Sequence, residues 1–317
     1  MRVDFSLPQR PAGAAGERPT VLTIGNFDGV HRGHRALIDL LVSDARDRNG
    51  EAVVMTFDPH PRCVLDPDNC PQQITTLDEK RDLLEAAGVD RMVVLEFTRA
   101  LSLWTAEHFC EQLCASFPLA RLVVGHDFAL GHNRRGDIPF LRDFGAEHGF
   151  DVVTFDALED SGEVISSSRV RAALIEGDLE RANRYLGHPY FVDAWVEHGE
   201  QVGRRIGYPT ANLAITGGKC LPARGVYAMW LKAKGEWHMA ATNVGYRPTF
   251  GGDRLTVEAF LLDFDGDIYR ERVRAAFVAR LREERAYPSA EALTEQIALD
   301  VEETRRLLAA QAPPPTL

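Results

Sequence analysis

Residues 21–34 of the 317-residue chain read VLTIGNFDGVHRGH, an apolar run followed by three glycines and two histidines. Residues 21–24 predict a buried strand, and the amphipathic residues 35–48 predict a helix after it. The glycines and histidines therefore lie where a strand turns into a helix. Free N–H groups at a helix N-terminus bind phosphate, and glycine lets the backbone approach a ligand closely. This stretch predicts a site for chemistry on a polyphosphate.

The spacing of these residues excludes two other phosphate loops. The dinucleotide fingerprint needs G-x-G-x-x-G, and the Walker loop needs G-x-x-x-x-G-K-[ST]. A zinc site on His31 and His34 is a second interpretation of the pair. Zinc peptidases place two histidines four residues apart on a helix, with a glutamate between them. Here the spacing is three, a glycine intervenes, and the pair precedes the predicted helix, so a phosphate site is favoured.

The rest of the first half alternates apolar, strand-like runs with amphipathic, helix-like runs. Nearly all-apolar strands that alternate with helices predict a parallel sheet covered on both faces. Ligands bind such sheets beyond the carboxyl ends of the strands, and Gly25, Asp58 and Gly125 all follow predicted strands. The predicted strands are 21–24, 52–57, 91–95, 122–125 and 151–155, and the predicted helices are 35–48, 77–87, 106–117 and 139–148.

The pattern changes in the second half of the chain. Residues 168–186 predict two short helices broken at Gly177, and residues 190–281 alternate with period two. Short strands with Gly and Pro turns predict a small antiparallel β-barrel, and residues 290–309 predict a closing helix. The predicted fold is therefore α/β. A Rossmann-like domain with linker helices covers residues 1–186, and a barrel domain covers residues 187–317.

Composition narrows the class of protein. Hydrophobic residues make up 45% of the chain, and the net charge of −11 argues against a general nucleic-acid binder. No apolar run approaches the ~20 residues that span a bilayer, and the N-terminus has no apolar signal region. We expect a cytoplasmic protein with reduced thiols, and we leave its oligomeric state open, homo-oligomers included. The five cysteines are Cys63, Cys70, Cys110, Cys114 and Cys220.

Three further strings in the first half carry polar residues at the ends of predicted elements. Residues 56–61 read TFDPHP, a rigid proline turn that also carries His60. Residues 124–131 read VGHDFALG, a glycine-rich loop with Asp127 and Phe128. Residues 165–171 read ISSSRVR, where Ser168 either caps a helix or binds phosphate.

With GNFDGVHRGH, these strings resemble in type and order the FAD synthetase domain of the prokaryotic bifunctional riboflavin kinase/FAD synthetases, an HxGH nucleotidyltransferase. The resemblance implies transfer of AMP from ATP to FMN with release of pyrophosphate. It implies that His31 and His34 stabilise the α-phosphate during transfer. The implied nucleotide-binding residues are Gly25, Asn26, Phe27, Asp28, Gly33, Ser167, Ser168 and Arg171, and the implied flavin-binding residues are Phe57, His60, Asp127 and Phe128.

The second half carries two strings with polar residues in otherwise apolar or turn-forming surroundings. Residues 203–213 read GRRIGYPTANL, and the alternation of Thr210 and Asn212 places a hydroxyl and an amide on one side. Both supply the hard oxygen ligands that Mg²⁺ prefers. Residues 257–264 read VEAFLLDF, and from this pattern alone Glu258 is more simply a surface-facing strand residue.

Together with GVY at 225–227 and NVGYRPTF at 243–250, these strings resemble the riboflavin kinase domain of the same family. The resemblance implies that Thr210 and Asn212 hold Mg²⁺ and ATP phosphates, with Gly203 and Gly207 nearby. It implies that Glu258 takes the proton of the ribityl 5′-hydroxyl, and that Arg282 touches the flavin. Two positions depart from the family pattern, Phe260 in place of a common His and Arg270 in place of a common Gly. They bear on flavin affinity or loop geometry.

The resemblance as a whole implies a cytoplasmic enzyme that converts riboflavin to FMN and FMN to FAD with Mg-ATP. Its partners are then small-molecule substrates, and neither nucleic acid nor a membrane is expected. Two alternatives stay open from the sequence. One is a nucleotidyltransferase with a different acceptor, and the other is a flavin-binding regulatory protein without catalytic activity.

Overall fold

The computed structural model describes residues 1–10, 18–199, 203, 206–249 and 252–314. The chain forms two compact units. The first contains Met1–Pro71 and Lys80–Ser166, and the second contains Gln72–Glu79 and Ser167–Thr316. The predicted domain boundary near residue 187 stays a prediction.

A six-stranded parallel sheet forms the centre of the first unit, in the order β1-β4-β3-β2-β5-β6. Every residue of β2 is buried, because helices cover both faces of its part of the sheet. The strands are β1 Arg2–Asp4, β2 Thr20–Ile24, β3 Glu51–Asp58, β4 Arg91–Glu96, β5 Leu119–Gly125 and β6 Asp151–Phe155, with a small ribbon of β7 Glu159–Asp160 and β8 Glu163–Val164. The helices are α1 Arg32–Asp47, α2 Pro61–Leu65, α3 Leu77–Ala86, α4 Arg99–Ser102, α5 Ala106–Ser116 and α6 Ile138–His148.

The strand order reverses at β2, which has β3 on one side and β5 on the other. In an open parallel sheet, ligands bind in the crevice beyond the carboxyl ends of the strands at such a reversal. The loop of residues 25–31 leaves β2 at this point, and the loop of residues 126–131 leaves β5. The topology therefore brings two of the predicted strings to one crevice.

The predicted parallel sheet is confirmed, with one correction at its first helix. The helix predicted from residue 35 begins at Arg32, because the ring of His31 accepts a hydrogen bond from the His34 N–H and caps the helix three residues earlier. His34 therefore lies in the first turn of α1 and not before it. The sequence pattern does not predict β1, because three residues at a sheet edge are too few to show a period.

The second unit is built on a closed antiparallel barrel with the strand order β10-β13-β12-β11-β14-β9, and the predicted barrel is confirmed. Residues 200–202, 204, 205, 250 and 251 of the predicted barrel segment lie outside the described residues. Its strands are β9 Tyr190–Glu197, β10 Ala211–Ala214, β11 Gly225–Ala233, β12 Glu236–Thr249, β13 Gly252–Leu261 and β14 Arg272–Arg282, and its helices are α7 Ser167–Glu176, α8 Leu179–Leu186 and α9 Ala290–Ala309.

A buried ion pair explains why residues 72–79 belong to the second unit. Lys219 and Glu79 are almost completely buried, and their side chains form a hydrogen-bonded pair. Lys219 also donates to the carbonyl of Ile74 at 2.6 Å, and Glu79 accepts the backbone N–H of Asp193 at 2.8 Å. Each buried charge is therefore paired and hydrogen-bonded, which ties this segment to β9.

Cys63 and Cys70 form a disulfide, so the expectation that all five cysteines are thiols is wrong for this pair. Helix α2 and the turn after it bring their Cα atoms to 4.3 Å, a proximity that a spacing of seven residues does not encode. Cys110, Cys114 and Cys220 are thiols, and burial raises the pKa of Cys110 to about 12.

Candidate active sites

The loop between β2 and α1 has an uncommon backbone conformation. Phe27 and Val30 adopt φ angles of 46° and 40°, in the left-handed region that L residues rarely enter. The strain is largest for the β-branched Val30, and such strain concentrates at ligand-binding sites. A side chain at Gly33 would press on the ring of His31 at 3.3 Å. This glycine therefore makes room for the histidine as well as for a ligand.

The two predicted histidines form one stacked pair. Their ring centroids lie 3.7 Å apart, and the planes differ by 16°. His31 is 5% exposed, and its Nδ1 accepts the backbone N–H of His34 at 3.3 Å, so a neutral His31 carries its proton on Nε2. Burial lowers the pKa of His34 well below its usual value, and His31 and Lys80 lower it further. His34 is therefore neutral at pH 7.

Lys80 lies beside the candidate site, and the sequence patterns do not reveal it. It is 7% exposed on α3, and its Nζ donates to Thr56 Oγ1 at 3.2 Å. Thr56 Oγ1 in turn donates to the carbonyl of Asn26 at 3.1 Å. Burial lowers the pKa of Lys80, and the carboxylates of Asp28 and Asp58 oppose this shift. In the sequence, the signal that could have identified Lys80 is a lysine on the buried face of an amphipathic helix.

Side chains that follow β2 and β3 contact each other. Asn26 Nδ2 and His60 Nε2 lie 3.1 Å apart, and His60 Nδ1 accepts the backbone N–H of Arg62 at the start of α2. The ring of Phe57 contacts Phe97 edge-on, with centroids 5.5 Å apart. Polar and aromatic side chains predicted to bind nucleotide and flavin are therefore adjacent at this edge of the sheet.

Beyond β5, Asp127 is exposed and Phe128 packs partly buried against the core of the unit. The carbonyl of Asp127 accepts a hydrogen bond from Arg134 Nη2 at 2.7 Å, which folds the loop back on itself. Asp28 is 6% exposed in the β2 loop. The structure thus places these candidates at the ends of β2 and β5, as the parallel topology requires.

The ISSSRVR string lies at the start of α7 in the second unit. Ser167 is the first residue of the helix, so Ser168 lies in the first turn and is not the capping residue. Arg171 Nε donates to the carbonyl of Gln72 at 2.8 Å. Both serines therefore lie at a helix N-terminus, where phosphate is favoured.

Three polar residues lie side by side across the barrel of the second unit. Asn212 on β10 pairs with Glu258 on β13, and Glu258 pairs with Asn243 on β12. Directly opposite residues share one face of the sheet, with Cβ atoms about 5 Å apart. The alternate residues Val257 and Ala259 are buried in the barrel, so this row faces outward.

The sequence predicts two members of this row, Asn212 and Glu258. The structure adds Asn243 and Glu197, one at each end. Asn243 lies within the NVGYRPTF string, and Glu197 on β9 pairs with Asn212. The register between neighbouring strands places Asn243 and Glu197 in the row, and local sequence patterns do not predict that register.

Two glycines before β10, Gly199 and Gly203, are closely packed. A side chain at Gly199 would lie 2.2 Å from Asn212 Nδ2, and one at Gly203 would lie 2.2 Å from the carbonyl oxygen of Tyr208. The carbonyl oxygen of Gly203 accepts the N–H of Tyr208 at 2.8 Å. Close packing therefore requires a glycine at Gly203, while Gly207 adopts a φ of 87°, which favours glycine.

Phe260, one of the two departures from the family pattern, packs edge-on against Tyr208 with ring centroids 5.1 Å apart. Arg270, the other, adopts a φ of 64°, in the left-handed region that glycine enters most easily.

Arg282 is held by α9. Its Nε and Nη2 donate to the two carboxylate oxygens of Asp300 at 2.9 and 2.7 Å, and this bond raises the pKa of Arg282. Asp300 is 5% exposed and also accepts from Gln296 at 3.0 Å. Arg282 thus joins β14 to α9, and its contact with flavin stays a prediction.

Two family models match the chain, FAD synthetase over residues 14–169 and riboflavin kinase over residues 186–308. A bifunctional riboflavin kinase/FMN adenylyltransferase from Escherichia coli K12 is 39% identical over 282 residues, which cover 88% of this chain and 90% of the relative. The chain belongs to the bifunctional riboflavin kinase/FMN adenylyltransferase family. It is therefore an enzyme with riboflavin kinase and FAD synthetase activities, and the resemblance inferred from the sequence is confirmed.

One further relative and one solved structure are also similar to this chain along most of its length. The Bacillus subtilis relative of the same name is 35% identical over 292 residues, covering 90% of this chain and 92% of the relative. A Streptococcus pneumoniae structure titled as a macrolide-efflux protein matches with a TM-score of 0.87 and 30% identity, over 96% of this chain and 99% of that one. Within the residues that the structure describes, no helix is both long and apolar enough to cross a membrane.

Proposed function

We propose that the crevice beyond β2 and β5 is where AMP is transferred from ATP to FMN. A phosphate oxygen of FMN attacks the α-phosphorus, and the bond to pyrophosphate breaks. The neutral His34 and the Nε2–H of His31 donate to the phosphate oxygens as negative charge builds on them. Lys80 adds a buried positive charge to the same site. The stacked pair, held by the helix cap, is positioned before the substrate arrives.

Other residues bind the substrates in this proposal. The family resemblance assigns Ser167, Ser168 and Arg171 to the β- and γ-phosphates, through hydroxyl, amide and guanidinium donors. The loop residues Gly25, Asn26, Phe27, Asp28 and Gly33 enclose the nucleotide, and Phe57, His60, Asp127 and Phe128 contact the flavin.

We propose that the outward-facing row on the barrel phosphorylates riboflavin. Glu258 accepts the proton of the ribityl 5′-hydroxyl as that oxygen attacks the γ-phosphorus, and the bond to ADP breaks. Asn212 and Thr210 orient the phosphates from one side of Glu258. Asn243 lies on the other side and fixes the position of the row.

Mg²⁺ is part of this proposal. The hydroxyl of Thr210 and the amide oxygen of Asn212 are the hard donors that Mg²⁺ takes together with phosphate oxygens. Gly199 leaves no room for a side chain beside Asn212, which keeps this amide in a fixed place. When bound, Mg²⁺ neutralises charge on the transferred phosphoryl group. The cytoplasm as the site of action belongs to the proposal as well, and cell fractionation would test it.

The observation that carries the proposal is the cross-strand register that joins Asn212, Glu258 and Asn243. The test incubates the purified full-length protein with riboflavin, ATP and Mg²⁺ and separates the products by chromatography. We expect FMN to appear first and FAD to follow, and FAD to form directly when FMN is supplied. Substitution of Asn212 by Ala should lower FMN formation from riboflavin and leave FAD formation from supplied FMN unchanged. Equal loss of both of these reactions in that folded variant would refute the assignment of residues to reactions.

A further inference from the structure

A cavity of about 350 Å³ opens at the amino-terminal edge of the parallel sheet in the first unit. Its wall includes the first residues of four strands, namely Arg2, Thr20, Glu51 and Arg91. Strand pairing makes these residues neighbours, because Arg2 pairs with Arg91 and Thr20 pairs with Glu51. The candidate adenylylation loop leaves the other end of β2, roughly 13 Å away along a five-residue strand. The cavity is therefore distinct from that site.

Positive charge is concentrated in the cavity. Four arginines line it, and Glu51 is the lining carboxylate. Asp4 contacts two of these arginines, with oxygens 3.0 Å from Arg2 Nε and 3.4 Å from Arg91 Nε. Arg18 also interacts electrostatically with Asp90, so the carboxylates near the four guanidinium groups, among the described residues, include Asp4, Glu51 and Asp90. The lining arginines are Arg2, Arg10, Arg18 and Arg91.

The protein holds some of these groups in place. Arg18 donates its Nε to the carbonyl of Asn49 at 3.2 Å and its Nη2 to the carbonyl of Gly50. Because the backbone anchors this guanidinium, little side-chain entropy is left to lose when an anion binds. Arg91 lies 3.2 Å from Glu51, but its buried Nε finds no acceptor with hydrogen-bond geometry among the described residues. The Thr20 hydroxyl is likewise buried without a partner in that part of the chain.

We propose that this cavity binds a small molecule through a phosphoryl group. Planar guanidinium forks match phosphate oxygens in geometry and charge. A cavity of this volume admits ligands up to roughly the size of a mononucleotide. The proposal does not depend on the residue roles assigned to either reaction.

Crystals soaked in selenate, a tetrahedral oxoanion with an anomalous signal, locate the site directly. We expect an anomalous peak in the cavity within hydrogen-bonding distance of at least two of the four arginine heads. A peak confined to the loops at the carboxyl edge of the sheet, or to the barrel, would overturn the proposal.

Thermal unfolding of the full-length protein measures binding in solution, with phosphate, pyrophosphate or AMP added at constant ionic strength. We expect each bound anion to raise the unfolding temperature of the wild type. The doubly substituted Arg2→Gln/Arg10→Gln protein should need on the order of tenfold more anion for each arginine removed. The side chain of Arg2 is 61% exposed and Arg10 is exposed, so the fold should tolerate both changes.

The matched control is Arg142→Gln/Arg306→Gln, which removes the same charge from exposed positions outside the cavity. It retains the catalytic loops and should respond as the wild type does. Identical responses of the two doubly substituted proteins would mean that the anions act elsewhere, and would overturn the proposal. If the cavity variant does not fold, Arg10→Gln alone replaces it under the same criteria. A larger response to AMP than to phosphate identifies a phosphorylated small molecule rather than the free anion as the ligand.

Discussion

The two candidate active sites are built in opposite ways. In the first unit, buried groups converge on the ends of parallel strands: His31 and Lys80 are 5% and 7% exposed, and His31 also caps α1. In the second unit, Asn212, Glu258 and Asn243 lie on the outer face of a barrel, aligned by strand register. We therefore expect the residues of the first site to contribute to both folding and chemistry. We expect those of the second to contribute mainly to chemistry.

The largest expected effect tests the barrel half of this comparison. Replacing Glu258 with Gln removes the proton acceptor and keeps the shape, so FMN formation should fall by about 10²–10⁴-fold. The thermal midpoint should hardly move, because this half-buried outer-face position contributes less than about 0.5 kcal/mol. Chromatography of flavin products and a thermal scan measure both quantities.

The control for this substitution is Glu236→Gln, which changes an exposed glutamate on β12 of the same barrel. It should leave both reactions at wild-type rates. FAD formation from supplied FMN should also survive in Glu258→Gln. A large loss of stability in Glu258→Gln would contradict the idea that this site is separate from the core.

Substitutions of His31 separate its two roles. In both His31→Asn and His31→Ala, FAD formation from FMN should fall by about 10²–10³-fold, because a donor to the transition-state charge is lost. Asn caps helices well and Ala does not, so only His31→Ala should also lose about 1 kcal/mol of unfolding free energy. The control His108→Asn changes a partly exposed histidine at the start of α5. Equal stability of the two His31 variants would show that the cap does not matter.

Substitution of Lys80 tests whether its buried positive charge assists FAD formation at the first site. Lys80→Met should lower FAD formation from FMN by about 10–100-fold through loss of positive charge near the phosphates, and leave FMN formation unchanged. Lys234→Met, at an exposed position of the barrel unit, is the matched control. An unchanged FAD rate in folded Lys80→Met would remove this residue from the site.

The comparison also explains what the sequence predicts well. Apolar runs such as residues 52–57 identify parallel strands, and parallel topology then places every strand end at one edge. For this reason the loop of residues 25–31 and His60 lie at the same edge of the sheet, as expected. The strings of the barrel were located equally well, because GYPTAN and the period-two pattern are local features.

Other features depend on information that is not local. Lys80 on α3 reaches the site through its hydrogen bond to Thr56 on β3, and Asn243 joins the row because of the pairing between β12 and β13. The Cys63–Cys70 disulfide depends on the turn after α2. The early start of α1 is a different case, because a histidine is not a common helix cap and the sequence rule favours Ser, Thr, Asp or Asn.

The lowered pKa of His34 makes the first site sensitive to acid. The pKa of His34 is lowered in the folded protein, so below about pH 6.5 the unfolded chain binds a proton that the folded chain excludes. The unfolding free energy should therefore fall as pH drops through this window, by up to about 1.4 kcal/mol per pH unit for this group. His34→Gln should flatten the dependence, as measured by urea unfolding at pH 7.5 and pH 5.5. A parallel decline in both proteins would assign the effect to other groups.

The smallest expected effect is a loss of stability at a helix cap that lies outside both candidate sites. Ser289 caps α9 by accepting the N–H of Ala292 at 3.2 Å, as His31 caps α1, but it belongs to neither candidate site. Ser289→Ala should cost about 1 kcal/mol of unfolding free energy, and Ser289→Asp should restore most of it. Both reactions should keep their rates, measured by the same chromatography. If Ser289→Ala instead slows FMN formation as strongly as Asn212→Ala does, then α9 takes part in the barrel reaction, and the contrast between a site built into the core and a site laid on a rigid surface would not hold.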